Sequence, residues 1–183
     1  MRPKCILVAG SERRFIKSLR QFETYLCAIG CDVEFYTLPD LNVLKAISSA
    51  ARSSSRDQPF LLVYDGHGSP WGWEGNISYL SLLWSLLKVK GELLVLNDTC
   101  YGYRLLNYLK LIRCSKNTCF ISPWDSDDVS YGGAIRDALT YWPKGIIPEN
   151  VFSEHIYSSE KGDREVPIQL RWGAALEHRF FPA

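Results

Sequence analysis

The chain has 183 residues, 46% hydrophobic and 22% charged, and its 21 basic and 20 acidic side chains leave a formal net charge of +1. That length buries a core without disulfide staples and reads as a single domain over 1–183, while near-neutral charge without a basic run argues against a nucleic-acid partner. No window approaches the roughly 18 apolar residues of a membrane span, and Met1-Arg2-Pro3-Lys4 lacks the pattern of a secretory signal, so the expectation is a cytoplasmic protein with no membrane partner.

In chain order, Lys4 to Ala9 is an apolar strand. Ser11 to Ile29 is an amphipathic helix with Phe15, Leu19, Phe22 and Leu26 on one face, Ser11 as N-cap and Gly30 as C-cap. Asp32 to Leu38 is a second strand, Leu41 to Arg52 a second helix, and Ser53 to Pro59 a loop by composition. Phe60 to Tyr64 is the third strand and Gly66 to Gly75 an irregular surface loop. Ile77 to Val89 returns to helix, Leu93 to Leu96 is the fourth strand, Tyr103 to Cys114 a leucine-rich helix, and Thr118 to Ser122 the fifth strand. Beyond Ser122 the pattern loosens: Ala134 to Tyr141 is a helix, Pro143 to Glu165 a long, partly disordered loop, and Val166 to Leu170 a sixth strand before a helix from Trp172. Alternating strands and helices with short links predict an α/β fold, a mostly parallel, doubly wound sheet with helices on both faces.

The chemistry concentrates in two places. Leu61-Leu62-Val63-Tyr64 runs into Asp65-Gly66-His67-Gly68-Ser69, and Leu93-Leu94-Val95-Leu96 runs into Asn97-Asp98-Thr99-Cys100-Tyr101-Gly102. In an open α/β sheet the strand interiors are buried, so reactive groups collect where carboxyl ends spill into loops. Adjacent parallel strands lie about 4.8 Å apart, which brings His67 and Cys100 within reach of one substrate. A histidine beside a thiol takes its proton or, as imidazolium, favours the thiolate. The remaining cysteines, at positions 5, 27, 31, 114 and 119, show no Cys-x-x-Cys and no zinc-finger spacing, so reduced thiols and no metal are expected.

Both motifs resemble those of the caspase-like cysteine peptidases, the group of caspases, metacaspases, legumains and gingipains. Tyr64-Asp65-Gly66-His67-Gly68-Ser69 is similar to the family's strand running into Gly-His-Gly, and Asp98-Thr99-Cys100-Tyr101-Gly102 is similar to the metacaspase Asp-x-Cys turn. Ile121-Ser122-Pro123-Trp124-Asp125-Ser126-Asp127-Asp128-Val129-Ser130 is similar to the metacaspase strand-five segment in which an Ile-Ser pair precedes an acidic turn and a serine. The chain departs from caspases in two ways. His67 precedes Cys100 by fewer residues than the roughly 50 of caspases, and Arg113 to Thr118 leaves no room for a long cleavable linker.

The resemblance implies a caspase-like three-layer sandwich with a mostly parallel six-stranded sheet. It implies Cys100 as nucleophile, His67 as acid and base, and the amides of Gly68 and Cys100 as oxyanion hole. Asp98, two positions before the nucleophile on a strand, shares its face and would line a pocket for Arg or Lys. Glu12 and Asp127 are candidate second acids, alternatively a helix-start charge and a solvated loop group. Ser122, Trp124, Trp71, Trp73 and Tyr131 are candidate cleft residues; the aromatic ones alternatively pack their own loops. Asp125, Asp127 and Asp128 either bind calcium, as in some metacaspases, or form an exposed acidic turn. No other cofactor is implied. The expected partners are a protein or peptide substrate and a regulatory protein, for a monomer or homodimer. A catalytically silent caspase-like interaction module and a small-substrate thiol hydrolase are the alternative readings.

Overall fold

The computed structural model describes residues 2–28, 30–55, 57–111, 118–121, 156–158 and 162–163. The elements run β1 (Lys4–Ala9), α1 (Arg13–Ala28), β2 (Asp32–Thr37), α2 (Val43–Ser53) and β3 (Phe60–Asp65). Three short strands follow, β4 (Gly68–Ser69), β5 (Gly72–Trp73) and β6 (Ile77–Ser78). Then come α3 (Tyr79–Leu86), β7 (Leu93–Asp98), α4 (Tyr103–Leu111), β8 (Thr118–Ile121), β9 (Ile156–Ser158) and β10 (Gly162–Asp163).

The main sheet has seven strands in the order β10-β9-β8-β7-β3-β1-β2. Pairing is parallel from β2 through β1, β3 and β7 to β8, and antiparallel where β9 joins β8 and β10 joins β9. The sheet is therefore α/β and parallel at its centre, as the alternation of elements predicts, but it gains an antiparallel edge. That edge falls inside Pro143 to Glu165, which sequence reading takes as loop. Short strands that pair only at a sheet edge carry no periodicity of their own to announce them. The expected helix Ala134–Tyr141, strand Val166–Leu170 and helix from Trp172 lie outside the described residues.

Alternation along the buried strands divides the core into two layers. Ile6, Val8, Leu62, Tyr64, Leu93 and Val95 join residues of α2, α3 and α4 in one apolar cluster. Cys5, Leu7, Leu61, Val63, Leu94 and Leu96, equally buried, point the other way. There α1 supplies Phe15, Leu19, Phe22 and Leu26, the four residues that its sequence pattern selects. Fully burying each such side chain is worth about 1.5–3 kcal/mol. Gly30 closes this helix at φ 91°, a left-handed cap, with Cys31 N–H reaching back to the Leu26 carbonyl at 3.0 Å.

Two boundaries differ in a way that matters to function. α1 starts at Arg13 rather than at a Ser11 cap, because the Glu12 carbonyl accepts the first bonds, from Phe15 and Ile16. The expected surface loop Gly66–Gly75 is instead an antiparallel meander, β4-β5-β6, and the helix expected from Ile77 begins only at Tyr79. Trp73, on β5, is 3% exposed; its ring stacks on Tyr64 at 4.2 Å and its indole N–H donates to Asn97 Oδ1 at 2.8 Å.

The order β2-β1-β3-β7-β8 places a topological switch between β1 and β3, since the chain winds outward from β1 in one direction and then in the other. Ligands bind doubly wound sheets in the crevice at the carboxyl ends of the strands at such a point. Among the described residues no helix is long and apolar enough to cross a membrane.

Candidate active site

At the carboxyl edge, Asp65 of β3 is the register partner of Asp98 of β7, and Gly66 N–H donates to the Asp98 carbonyl at 3.3 Å. Two residues further on, past the strand ends, come His67 after β3 and Cys100 after β7. The close approach continues at Gly68, where a Cβ would come within 2.2 Å of Thr99 Oγ1 and 2.5 Å of the Cys100 carbonyl oxygen. Only glycine lets the His67–Gly68 backbone lie against Thr99–Cys100. The two expected catalytic residues thus sit on packed neighbouring segments, with His67 half exposed and Cys100 partly exposed.

The Cys100 turn is fastened from beneath. Tyr101 adopts a left-handed φ of 56°. Its carbonyl accepts the Tyr79 hydroxyl at 3.1 Å, and the Gly102 carbonyl accepts Asn97 Nδ2 at 2.8 Å. Burial pushes the Tyr79 phenol well above its usual range, so it stays a neutral donor.

The His67 peptide is held on both sides. Its carbonyl accepts the Tyr64 hydroxyl at 2.6 Å and Glu74 N–H at 3.0 Å. Its own N–H donates to Glu74 Oε2 at 3.3 Å. The imidazole sits edge-on to Phe15, centroids 5.2 Å apart, and its Nε2 is hydrogen-bonded to Glu12 Oε1. The other Glu12 oxygen pairs with Arg14 Nε at 2.8 Å. The hydrogen bond to His67, helped by Arg14, holds the Glu12 carboxyl below the usual carboxylate range.

Glu12, considered from sequence as a pocket acid, therefore lies against the imidazole instead. Asp98 is on the expected strand and buried at 3% exposure, with Asp65 opposite it at 4%. Sequence reasoning missed Asp65 as a partner of Asp98. The signal was present in the matching layout of the two motifs, where each aspartate stands two residues before the histidine or the cysteine. Trp71 is 72% exposed and, with His67, Gly68, Glu74 and Asn76, lines an open cavity of about 520 Å³. Ser122, Trp124, Asp127, Asp125, Asp128 and Tyr131 lie outside the described residues. Among the described residues no group of three or more His, Cys, Asp or Glu could hold a metal ion. No protein-family model matches this chain, and no curated protein matches it.

Proposed function

We propose that the chain is a caspase-like cysteine endopeptidase that cuts after Arg or Lys through a thioester on Cys100. The observation that carries this reading is the packing of the His67–Gly68 segment against Thr99–Cys100 at the ends of β3 and β7. The segment that carries the imidazole is thereby packed against the segment that carries the thiol, just beyond Asp65 and Asp98.

In this mechanism the Cys100 proton passes to His67, and Sγ attacks the scissile carbonyl. The amides of Gly68 and Cys100 stabilise the oxyanion, each donor being worth about 3–4 kcal/mol of barrier. As the tetrahedral adduct collapses, the C–N bond breaks and His67 protonates the leaving amine. Water then attacks the thioester carbon, His67 takes its proton, and the C–S bond breaks to release the acid and restore the thiol. Glu12 acts on the imidazole, fixing its orientation and stabilising the imidazolium, the role a carboxylate plays in a hydrolase triad.

Asp98 and Asp65 supply the specificity. They are register partners on adjoining strands, and a substrate guanidinium or ammonium reaching them would form charge-assisted hydrogen bonds. A substrate Asp would be repelled.

The test is a fluorogenic panel with Arg, Lys, Asp or Asn before the reporter, run on the parent, Cys100→Ala and His67→Ala. Turnover confined to the Arg and Lys substrates and lost in both variants supports the reading. Equal turnover in Cys100→Ala overturns it. Turnover indifferent to the residue before the bond would favour a small-substrate thiol hydrolase.

A further inference from the structure

We propose that Glu74 is a positioning residue of this site, its carboxylate bridging the backbone amides of Ser11 and His67 so that Glu12 is held against the imidazole. The inference rests on the peptidase reading for its catalytic consequence, not for its geometry.

Glu74 sits in the turn between β5 and β6, where Gly75 and Asn76 take consecutive left-handed φ values of 70° and 63°. Such a turn reverses a two-stranded ribbon tightly. It leaves Glu74 facing the crevice between β1 and β3, the topological switch. One carboxylate oxygen, Oε1, accepts Ser11 N–H; the other, Oε2, accepts His67 N–H at 3.3 Å. Glu74 N–H in turn donates to the His67 carbonyl at 3.0 Å. Both polar backbone groups of His67 are thus tied to one residue, which also grips the amide just before Glu12.

Gly10 makes room for this bridge. A Cβ there would come within 2.7 Å of Glu74 Oε2 and 2.9 Å of Gly66 Cα, so the two loops meet with only the carboxylate against them. An ionised carboxylate offers two acceptor oxygens at a fixed separation, whereas an amide offers one. Glutamine in its place can keep one of the two loops and not both.

The charged groups that the structure places against His67 are Glu12, itself paired with Arg14 of α1, and Glu74. Of these, Glu12 bonds the ring directly. Its carboxyl lies low chiefly because of that bond, which makes Glu12 a reporter of whether the pair is assembled.

The experiment follows the Glu12 carboxyl carbon by NMR against pH in the full chain, assigned with Glu12→Gln, for the parent, Glu74→Ala and Glu74→Gln. Loss of the bridge should raise the Glu12 titration towards the ordinary carboxylate range in Glu74→Ala, and less far in Glu74→Gln. In parallel, kcat should fall about tenfold with KM little changed, as for loss of an interaction made in the transition state. The Glu12→Gln/Glu74→Ala double variant should be no slower than Glu12→Gln, because both act through one contact. An unchanged Glu12 titration in either folded Glu74 variant, or fully additive losses, overturns the inference. So does loss of folding in both variants, which would make the role structural. A parent without peptidase activity sinks the peptidase reading alone, and the titration then still decides the role of Glu74.

Discussion

The two ends of the central sheet use charge differently. At the amino end, Lys4 of β1 reaches Asp32 at 2.9 Å and Glu34 at 2.7 Å on β2, with all three side chains partly in water. Burial acts to lower the Lys4 pKa, but its hydrogen bonds to Glu34 and Asp32 outweigh that and raise it. The bond to Lys4 holds the Glu34 carboxyl low. At the carboxyl end, Asp65 and Asp98 are buried side by side. Packing there is so close that a Cβ at 10 would meet Glu74 and the Gly66 backbone, one at 66 the Tyr64 ring, and one at 68 Thr99 and the Cys100 carbonyl, and Tyr101 is held in a left-handed conformation. At the amino end one lysine bridges two carboxylates, an arrangement that serves stability. The carboxyl end holds two buried acids, a left-handed turn and the close-packed segments that carry His67 and Cys100, and strained backbone of this kind clusters at functional sites.

Substitutions sharpen that contrast. The largest effect belongs to Cys100→Ala, which should abolish peptide turnover by at least about 10³-fold while thermal melting stays close to the parent's. Gly68→Ala comes next. Its methyl group has no room against Thr99 and the Cys100 carbonyl, so denaturant unfolding should show a loss of about 1–3 kcal/mol. The displaced oxyanion donor should lower kcat by about 10²-fold.

Asp98→Asn should leave the fold intact and reduce kcat/KM for Arg and Lys substrates by about tenfold or more, since a charged hydrogen bond contributes roughly 1.5–3 kcal/mol. Comparing Arg with its neutral isostere citrulline before the reporter reads this directly.

The smallest effect belongs to the amino end. Lys4→Met should change stability by less than about 1 kcal/mol, the range of partly exposed ion pairs, with no change in turnover. The sign with pH follows from Glu34, whose folded pKa is depressed. Its stabilisation is complete above the ordinary carboxylate pKa and is lost as pH falls through the lowered folded value. The gap between parent and Lys4→Met in urea unfolding should therefore close in acid.

Much of the scaffold is legible in the sequence because burial imposes a period. The apolar face of α1 and the runs of β3 and β7 stand out without any structure, and the His67 and Cys100 motifs stand out because polar, glycine-flanked groups end those runs. What depends on strand order does not. Glu12 and His67 lie 55 residues apart and meet only because β1 and β3 are neighbours. Asp65 acquires meaning as an acid only through its register with Asp98. The meander that carries Glu74 consists of two-residue strands, too short for alternation, and its one strong signal, Trp73, looks like a loop aromatic until Tyr64 and Asn97 are seen around it.

The central claim is that Cys100 is a nucleophile activated beside an anionic subsite. Its most direct test is mass spectrometry of the chain after exposure to an arginyl chloromethyl ketone peptide and to its aspartyl counterpart. The account predicts a single adduct on Cys100 with the arginyl reagent, faster than with the aspartyl one and much slower in His67→Ala. Labelling of Cys100 at equal rates by both reagents and in His67→Ala, or labelling of other cysteines in its place, would contradict it.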